Sequence, residues 1–429
     1  MQLFIFSVIR ALEYLWHFGY KRPIYKRGSI MQSSNKKLFS IFLIVFIDLL
    51  GFSIILPLLP FYATTFGANA VTTEALVAIY ALLQFISAPI LGRISDQRGR
   101  RLVLLVSIAG NILAYVILGL ANTLLVIFLA RAMAGFFGGN ISVAQAYITD
   151  ITDEKNRAKG LGLIGAAFGL GFIFGPALGG ILSQFGFMVP ALVSAGLALI
   201  NLVLVFFWLP ESLTKEKREA MAGRKQQIPF TIPALIAVLR RPHVGPLLST
   251  RFFFAIAFSM FTSVFALYGL YKFKLNEQTT GYVLAYVGVL SVIVQGFLIG
   301  LLTARFKEAI LIFISIVIMS VSLLGWALAP SLVALIIILI PIAFAGGVFN
   351  TVINSSISKA VHPDEVGGML GIGASLESMT RVISPILGGI LLQQFGAGAP
   401  GIFCAIVTGI LAIYLWRTGE RPIDVAQPV

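Results

Sequence analysis

The sequence predicts an all-α polytopic membrane protein in which twelve transmembrane helices form two pseudo-symmetric bundles of six. Three observations carry that prediction. Of 429 residues, 58% are hydrophobic and only 11% are charged, whereas soluble domains carry about a quarter of their residues as charges. The apolar residues gather in runs of about 20, each long enough to cross a hydrocarbon core of about 30 Å as a helix. A pattern of six residues, Gly162, Pro176, Gly179, Gly180, Ile181 and Leu182, recurs 209 positions later as Gly371, Pro385, Gly388, Gly389, Ile390 and Leu391. Because the runs are apolar on every face and do not alternate, a membrane β-barrel is excluded.

Charged or Gly/Pro-rich breaks separate the runs. Spans 1 to 6 fall at about 41–62, 75–91, 102–120, 124–147, 161–182 and 189–209. Spans 7 to 12 fall at about 247–271, 282–302, 309–328, 332–354, 369–392 and 402–416. The chain thus divides into an N-terminal segment 1–40, a first bundle 41–209, a linker 210–246, a second bundle 247–416 and a tail 417–429. The linker carries Lys215, Lys217, Arg218, Arg224, Lys225, Arg240 and Arg241. Within the N-terminal segment, the apolar stretch before Tyr20 is interrupted by Arg10, Glu13 and His17. It reads either as an interfacial amphipathic helix or as a start-site artefact over 1–30, since Met31 opens a polar stretch of the kind that precedes many first spans.

The net charge of +14 suggests nucleic acid in a soluble chain, but topology accounts for it here, and no nucleic-acid partner is expected. Of the 31 Lys and Arg residues, 26 lie in the terminal segments, the linker and the loops on one side, and two, Lys272 and Lys274, on the other. Cytoplasmic loops retain Lys and Arg, so both termini are expected in the cytoplasm and the chain in the cell membrane. A single cysteine, Cys404, excludes an internal disulfide. No Walker lysine loop, paired-acid metal motif, Ser/His arrangement or His-rich helix is present, so neither an enzyme nor a cofactor or metal requirement is expected.

The loop between spans 2 and 3, Gly92-Arg93-Ile94-Ser95-Asp96-Gln97-Arg98-Gly99-Arg100-Arg101, resembles the loop signature of the major facilitator superfamily. The resemblance implies the twelve-helix major facilitator fold and a conformational latch built from Gly92, Asp96, Arg98, Gly99, Arg100 and Arg101. Asp96 is expected to face the start of span 11, and Asp150 to partner Arg98 or Arg100. The corresponding loop of the second half has Ala304 where the acid would stand, which implies a degenerate second latch.

Span 5 carries Gly162, Gly171, Gly175, Pro176, Gly179 and Gly180, a spacing similar to the antiporter signature of the drug:proton exporters in that superfamily. Glycines four apart clear one helix face for close approach, and proline bends the span. Arg131, near Gly135, Gly138 and Gly139 in span 4, resembles the superfamily's buried arginine, with a snorkelling structural role as the alternative. Arg251 and Arg381 also lie within spans, Arg251 close enough to the inner surface to act as an anchor.

Two acids are expected well inside spans, Asp48 and Glu377, each roughly 10 Å from the inner surface by the helical rise. A carboxyl removed from water holds its proton more tightly, as a proton carrier requires. Arg381, four residues beyond Glu377, offers that acid a neutralising helix pair. The stretch from Asp48 to Phe52 with Pro57 and Pro60 resembles span 1 of tetracycline-type exporters, and the likeness continues to Ser212. Those relatives place further acids in other spans, where this chain has Asn111 in span 3 and none in span 9. The expected function is therefore proton-coupled efflux of an amphipathic small molecule by a monomer in the lipid bilayer. Uptake or uniport of a metabolite, or a non-transporting sensor, are the alternatives on the same fold. Gln84, Asn140, Gln145, Gln295, Phe349 and Asn354 are the expected cavity lining, since polar residues in spans avoid lipid.

Overall fold

A computed structural model describes residues 30–214, 218, 237–362 and 365–417, and every regular element among them is helical. All twelve expected spans are present, most of them longer than expected by a few residues. The first half comprises Leu38–Thr65, Ala70–Arg98, Arg100–Gly119, Leu124–Ile151, Gly160–Phe185 and Met188–Trp208. The second comprises Val244–Phe273, Glu277–Arg305, Glu308–Leu328, Leu332–Lys359, Val366–Phe395 and Ala399–Arg417. Eleven of these are apolar enough to cross a membrane on composition alone. Span 11, Val366–Phe395, is 30 residues long but carries Glu377, Arg381 and a run of Ser and Gly residues. Residues 1–29, the linker residues 215–217 and 219–236, and the tail from 418 lie outside the described residues, and with them the expected interfacial helix and most of the basic linker.

Local chemistry sets the ends and breaks. Asn69, Thr123, Asp153, Asn276 and Ser331 each accept a hydrogen bond from a backbone N–H in the first turn of the helix that follows, satisfying donors that helix starts leave orphaned. Span 1 breaks between Ile55 and Leu59, where Pro57 and Pro60 stand. Span 4 breaks at Gly138-Gly139. Span 8 contains one π-helical turn, Val294–Leu298, a feature frequent at functional sites.

Each half packs around its own apolar core: Ile41, Ile54, Leu104, Tyr147 and Val205 belong to one, Phe254, Met260, Trp326, Leu339 and Ile353 to the other. Outward-facing Phe207, Trp208 and Trp416 at the ends of spans 6 and 12 are 73%, 61% and 73% exposed, the placement expected of aromatic residues at a membrane interface. The halves meet where span 2 packs on span 11 and span 5 on span 8.

That contact is uneven along the bundle. At the end remote from the linker, a Cβ on Gly180 would lie 3.0 Å from the Gln278 carbonyl and one on Gly389 3.0 Å from the Ala70 carbonyl. Gln393 of span 11 accepts a hydrogen bond from the Val71 N–H at 3.3 Å. At the linker end, a Cβ on Gly92, Gly162, Gly165, Gly367 or Gly371 would meet nothing within 4 Å. The halves are thus in close contact at the far end, while these glycines of spans 2, 5 and 11 have open space at the linker end.

Candidate functional site

Asp48 sits halfway along the wall of the first half. Its two carboxylate oxygens accept from two neutral amides, Asn111 of span 3 at 3.4 Å and Asn140 of span 4 at 3.2 Å. Phe52, one turn on, stacks on Tyr80 at 4.9 Å and meets Phe172 edge-on at 6.4 Å. Arg131 is 1% exposed, with its guanidinium over the Tyr80 ring at 4.4 Å and its Nε donating to the Leu76 carbonyl at 3.4 Å. It is therefore locked between spans 2 and 4 and does not snorkel. Glycines make this possible: a Cβ on Gly135 would strike the Tyr80 backbone, and one on Gly138 would lie 2.7 Å from the Tyr80 hydroxyl. Gln84 donates to the Gly138 carbonyl at 3.0 Å.

The second half holds a charged cluster. Glu377 bonds Arg381 at 2.9 Å and Arg251 at 3.0 Å, and Arg251 also donates to Asn354 at 2.7 Å. Arg251 is 7% exposed, so the expected surface anchor is instead a buried bridge between spans 7, 10 and 11. The Arg381 side chain is 53% exposed. Asp48 and Glu377 thus differ: among the described residues Asp48 is held by two amides, whereas Glu377 shares two guanidinium groups.

At the linker end, Arg100 holds Asp96 at 2.6 Å, the Ser95 hydroxyl at 2.6 Å and Asp150 at 3.1 Å. Ser212 donates to Asp150 at 2.9 Å. Glu211 caps span 3, accepting from the backbone N–H groups of Arg100 at 2.9 Å and Arg101 at 3.2 Å, where an anion complements the helix dipole. Arg101 donates to the Phe206 carbonyl, and the Arg98 carbonyl accepts from Arg218 at 3.3 Å. Gly99 turns the chain at φ 104°, and a Cβ there would strike the Glu211 carboxylate. Asp96 pairs within its own half, with Arg100 one helical turn away, and no ion pair joins it to span 11 among the described residues. Of the two candidates for Asp150, the bond is to Arg100.

The second half has an equivalent with its charges exchanged. Glu308, the first residue of span 9, bonds Lys359 at the end of span 10 at 2.7 Å and accepts from Ser355 and Ser356 at 2.7 and 2.8 Å. Lys359 stands 209 positions after Asp150 and Glu308 208 after Arg100. An ion pair of inverted sign thus stands beside the loop that lacks its acid. Alanine at 304 removes the loop acid, and the ion pair forms one step further along, between the helix ends.

The span 5 glycines divide in two. A Cβ on Gly171 would lie 3.3 Å from Leu49, and Cβ atoms on Gly175 and Gly179 would strike Ser53 and the Ile54 carbonyl. Ser53 also donates to the Gly171 carbonyl at 2.7 Å, and Pro176 offers its carbonyl to the close approach of Gly281. Gly180 packs on span 8. Gly162, by contrast, has open space, so close packing does not explain it in this conformation. Among the expected lining residues, Gln145 and Gln295 are exposed, Gln295 on the π turn. Asn140 and Asn354 are occupied by Asp48 and Arg251. Phe349 is no lining residue: it is 1% exposed and stacks on Phe254 at 3.7 Å inside the second core. A small apolar void bounded by Ile55, Leu58, Tyr62, Leu118 and Phe187 touches none of the polar cluster.

Sequence reading missed Tyr80, the ring between Phe52 and Arg131, and Glu74, placed just outside span 2. The helix in fact starts at Ala70 and buries Glu74 completely. The Asn69 cap followed by Thr72 and Thr73 was the available signal.

The profile of the Major Facilitator Superfamily matches residues 41–308 and 272–428. Solute carrier family 22 member 18 of Rattus norvegicus is 30% identical over 366 residues, covering 84% of this chain and 88% of that protein. The class H tetracycline resistance protein of Pasteurella multocida is 31% identical over 366 residues, covering 82% and 88%. In structure, a bacterial homologue of the human lysosomal transporter Spinster, inward-facing and occupied, superposes with a TM-score of 0.76 at 14% identity, covering 94% of this chain and all of that one. The human organic anion transporter MFSD10 superposes with a TM-score of 0.66 at 22% identity, covering 89% and 99%. At such identities the structures speak for the fold, while the matched profile spans nearly every described residue of both halves. The chain belongs to the Major Facilitator Superfamily.

Proposed function

We propose that this transporter is a proton-coupled exporter of an amphipathic small molecule, working by alternating access in the cell membrane with both termini and the linker in the cytoplasm. The observation that carries the reading is the asymmetry between Asp48 of the first half and Glu377 of the second. Glu377 is neutralised in place by Arg251 and Arg381, but Asp48 has two amides and, among the described residues, no cation. A carboxylate held that way is neutralised only by a proton or by a cationic substrate group, and competition between the two is the basis of antiport. Beside it, Phe52, Tyr80 and Phe172 form an aromatic ledge suited to the apolar body of such a substrate. The latch of Arg100 with Asp96 and Asp150 is the element that holds the first half rigid during the exchange. The relatives named as tetracycline resistance proteins support the efflux direction, and the Lys/Arg bias supports the orientation.

Everted vesicles, tested with a panel of amphipathic dyes and tetracycline, separate this reading from its competitors. An exporter accumulates at least one compound when a proton gradient is imposed and releases it on collapse of the gradient. Equilibration without accumulation indicates a uniporter, and binding without flux a sensor.

A further inference from the structure

Glu74 is a buried acid for which the transport scheme above has no use. It lies on the second turn of span 2, at the closed far end, and is fully buried. Neither carboxyl oxygen has a hydrogen-bond partner of normal geometry among the described residues. Span 11 covers it through Gly389, whose Cβ would lie 3.1 Å from both Cβ and Cγ of Glu74. Span 7 contributes the Ser263 hydroxyl, the polar group beside the carboxyl, although its proton is given to the Met260 carbonyl at 3.2 Å. The charged and titratable groups on the packed elements are committed elsewhere. Arg131 and Tyr80 hold each other, Arg251 and Arg381 hold Glu377, and Lys272 donates to the Ala327 carbonyl. None of them acts on Glu74.

This acid is also part of the gate. Residues of both halves cover it, and the contacts around it, Ala70 with Gly389 and Val71 with Gln393, are those that shut the far end. A bare carboxylate sealed there would be strongly disfavoured, having among the described residues neither a cation nor a hydrogen bond of normal geometry to offset the loss of water. Parting spans 2 and 11 returns it to water, where the ionised form is solvated.

We propose that Glu74 is the proton-binding site of the far gate, which closes only after the carboxyl has taken a proton from the far-side solvent and returns that proton to the same side on opening. The only bond made and broken is the carboxyl O–H, and no net proton crosses the membrane through it. Glu74 is thus a positioning residue that makes gate closure depend on far-side pH, distinct from the coupling assigned to Asp48. The inference rests on the alternating-access reading.

The test uses the full chain in nanodiscs, with spin labels on cysteines at Thr65 and Gln394, both exposed at the far end, in a Cys404→Ala background. Distance distributions are recorded by double electron–electron resonance from pH 5 to pH 9. Because one linked proton changes an equilibrium by at most tenfold per pH unit, the ratio of closed to open populations should fall by about tenfold or more across the range. Glu74→Gln should keep the short-distance population at every pH, within about twofold. Glu74→Met, apolar and of similar volume, should do the same and guards against a folding defect particular to the amide. If both neutral variants retain the parent's pH dependence, the proton sits elsewhere and the inference is overturned while alternating access stands. If no far-end distance changes at any pH or with any transported compound, the inference and the alternating-access reading fall together.

Discussion

Replacing Arg100 with alanine removes the cation that pairs with both Asp96 and Asp150, whose side chains are 19% and 14% exposed. Breaking a buried ion pair by deleting one partner costs about 3–5 kcal/mol, because a desolvated charge stays behind. Residual exposure of both acids argues for the lower end, about 3 kcal/mol. Lys359→Ala breaks the sign-inverted counterpart, but the lysine is 56% exposed and Glu308 keeps the Ser355 and Ser356 hydroxyls. Exposed pairs contribute about 0–1 kcal/mol. On the scale of about 2–4 °C per kcal/mol for units of this size, Arg100→Ala should melt roughly 6–12 °C lower and Lys359→Ala within roughly 4 °C of the parent. Fluorescence-detected gel filtration after a heating series in detergent reads the difference. The charge-exchanged double variant Arg100→Glu with Asp150→Lys, which copies the second half, should melt above Arg100→Ala. Equal losses for Arg100→Ala and Lys359→Ala would show that the burial difference does not govern the two latches.

Two further outcomes follow from packing and topology. Gly175→Ala drives a methyl into Ser53 and disrupts its bond to the Gly171 carbonyl, at about 1–3 kcal/mol of overpacking, whereas Gly162→Ala enters open space; comparable thermal losses for both would contradict the contact assignments. Cysteines at Ser212 and Asn69 should react with an impermeant maleimide from opposite faces of the membrane, against a silent background because Cys404 is fully buried; reaction of both in intact cells would refute the orientation.

The fold was legible because spans announce themselves by length and apolarity, and the repeat of the span 5 Gly-Gly pattern in span 11 supported the division into two sixes. Arg131, Asp48 and the Arg100–Asp150 pair were legible for the complementary reason, that charge inside or at the edge of a span demands a partner. What hid were contacts between spans distant in sequence. Arg251 read as an anchor because its distance from the helix end was visible while Glu377, 126 residues away, was not. Phe349 passed as a lining residue because helical periodicity does not say which face meets Phe254. Glu74 was lost to a boundary error of one turn, the least certain quantity in any reading of helix ends. The sign-inverted latch was missed by comparing loop with loop, when its charges sit on the first and last residues of neighbouring helices.

The central claim is that Asp48, the acid of span 1 held by two amides, couples substrate to protons. Everted vesicles bearing Asp48→Asn, loaded with whichever compound the parent protein accumulates, test it directly. Accumulation driven by the gradient should vanish while downhill exchange survives, and Glu377→Gln should have the smaller effect because Arg251 and Arg381 already neutralise that acid. If Asp48→Asn vesicles still concentrate the compound against its gradient and still dissipate the proton gradient when it is added, Asp48 does not carry the coupling.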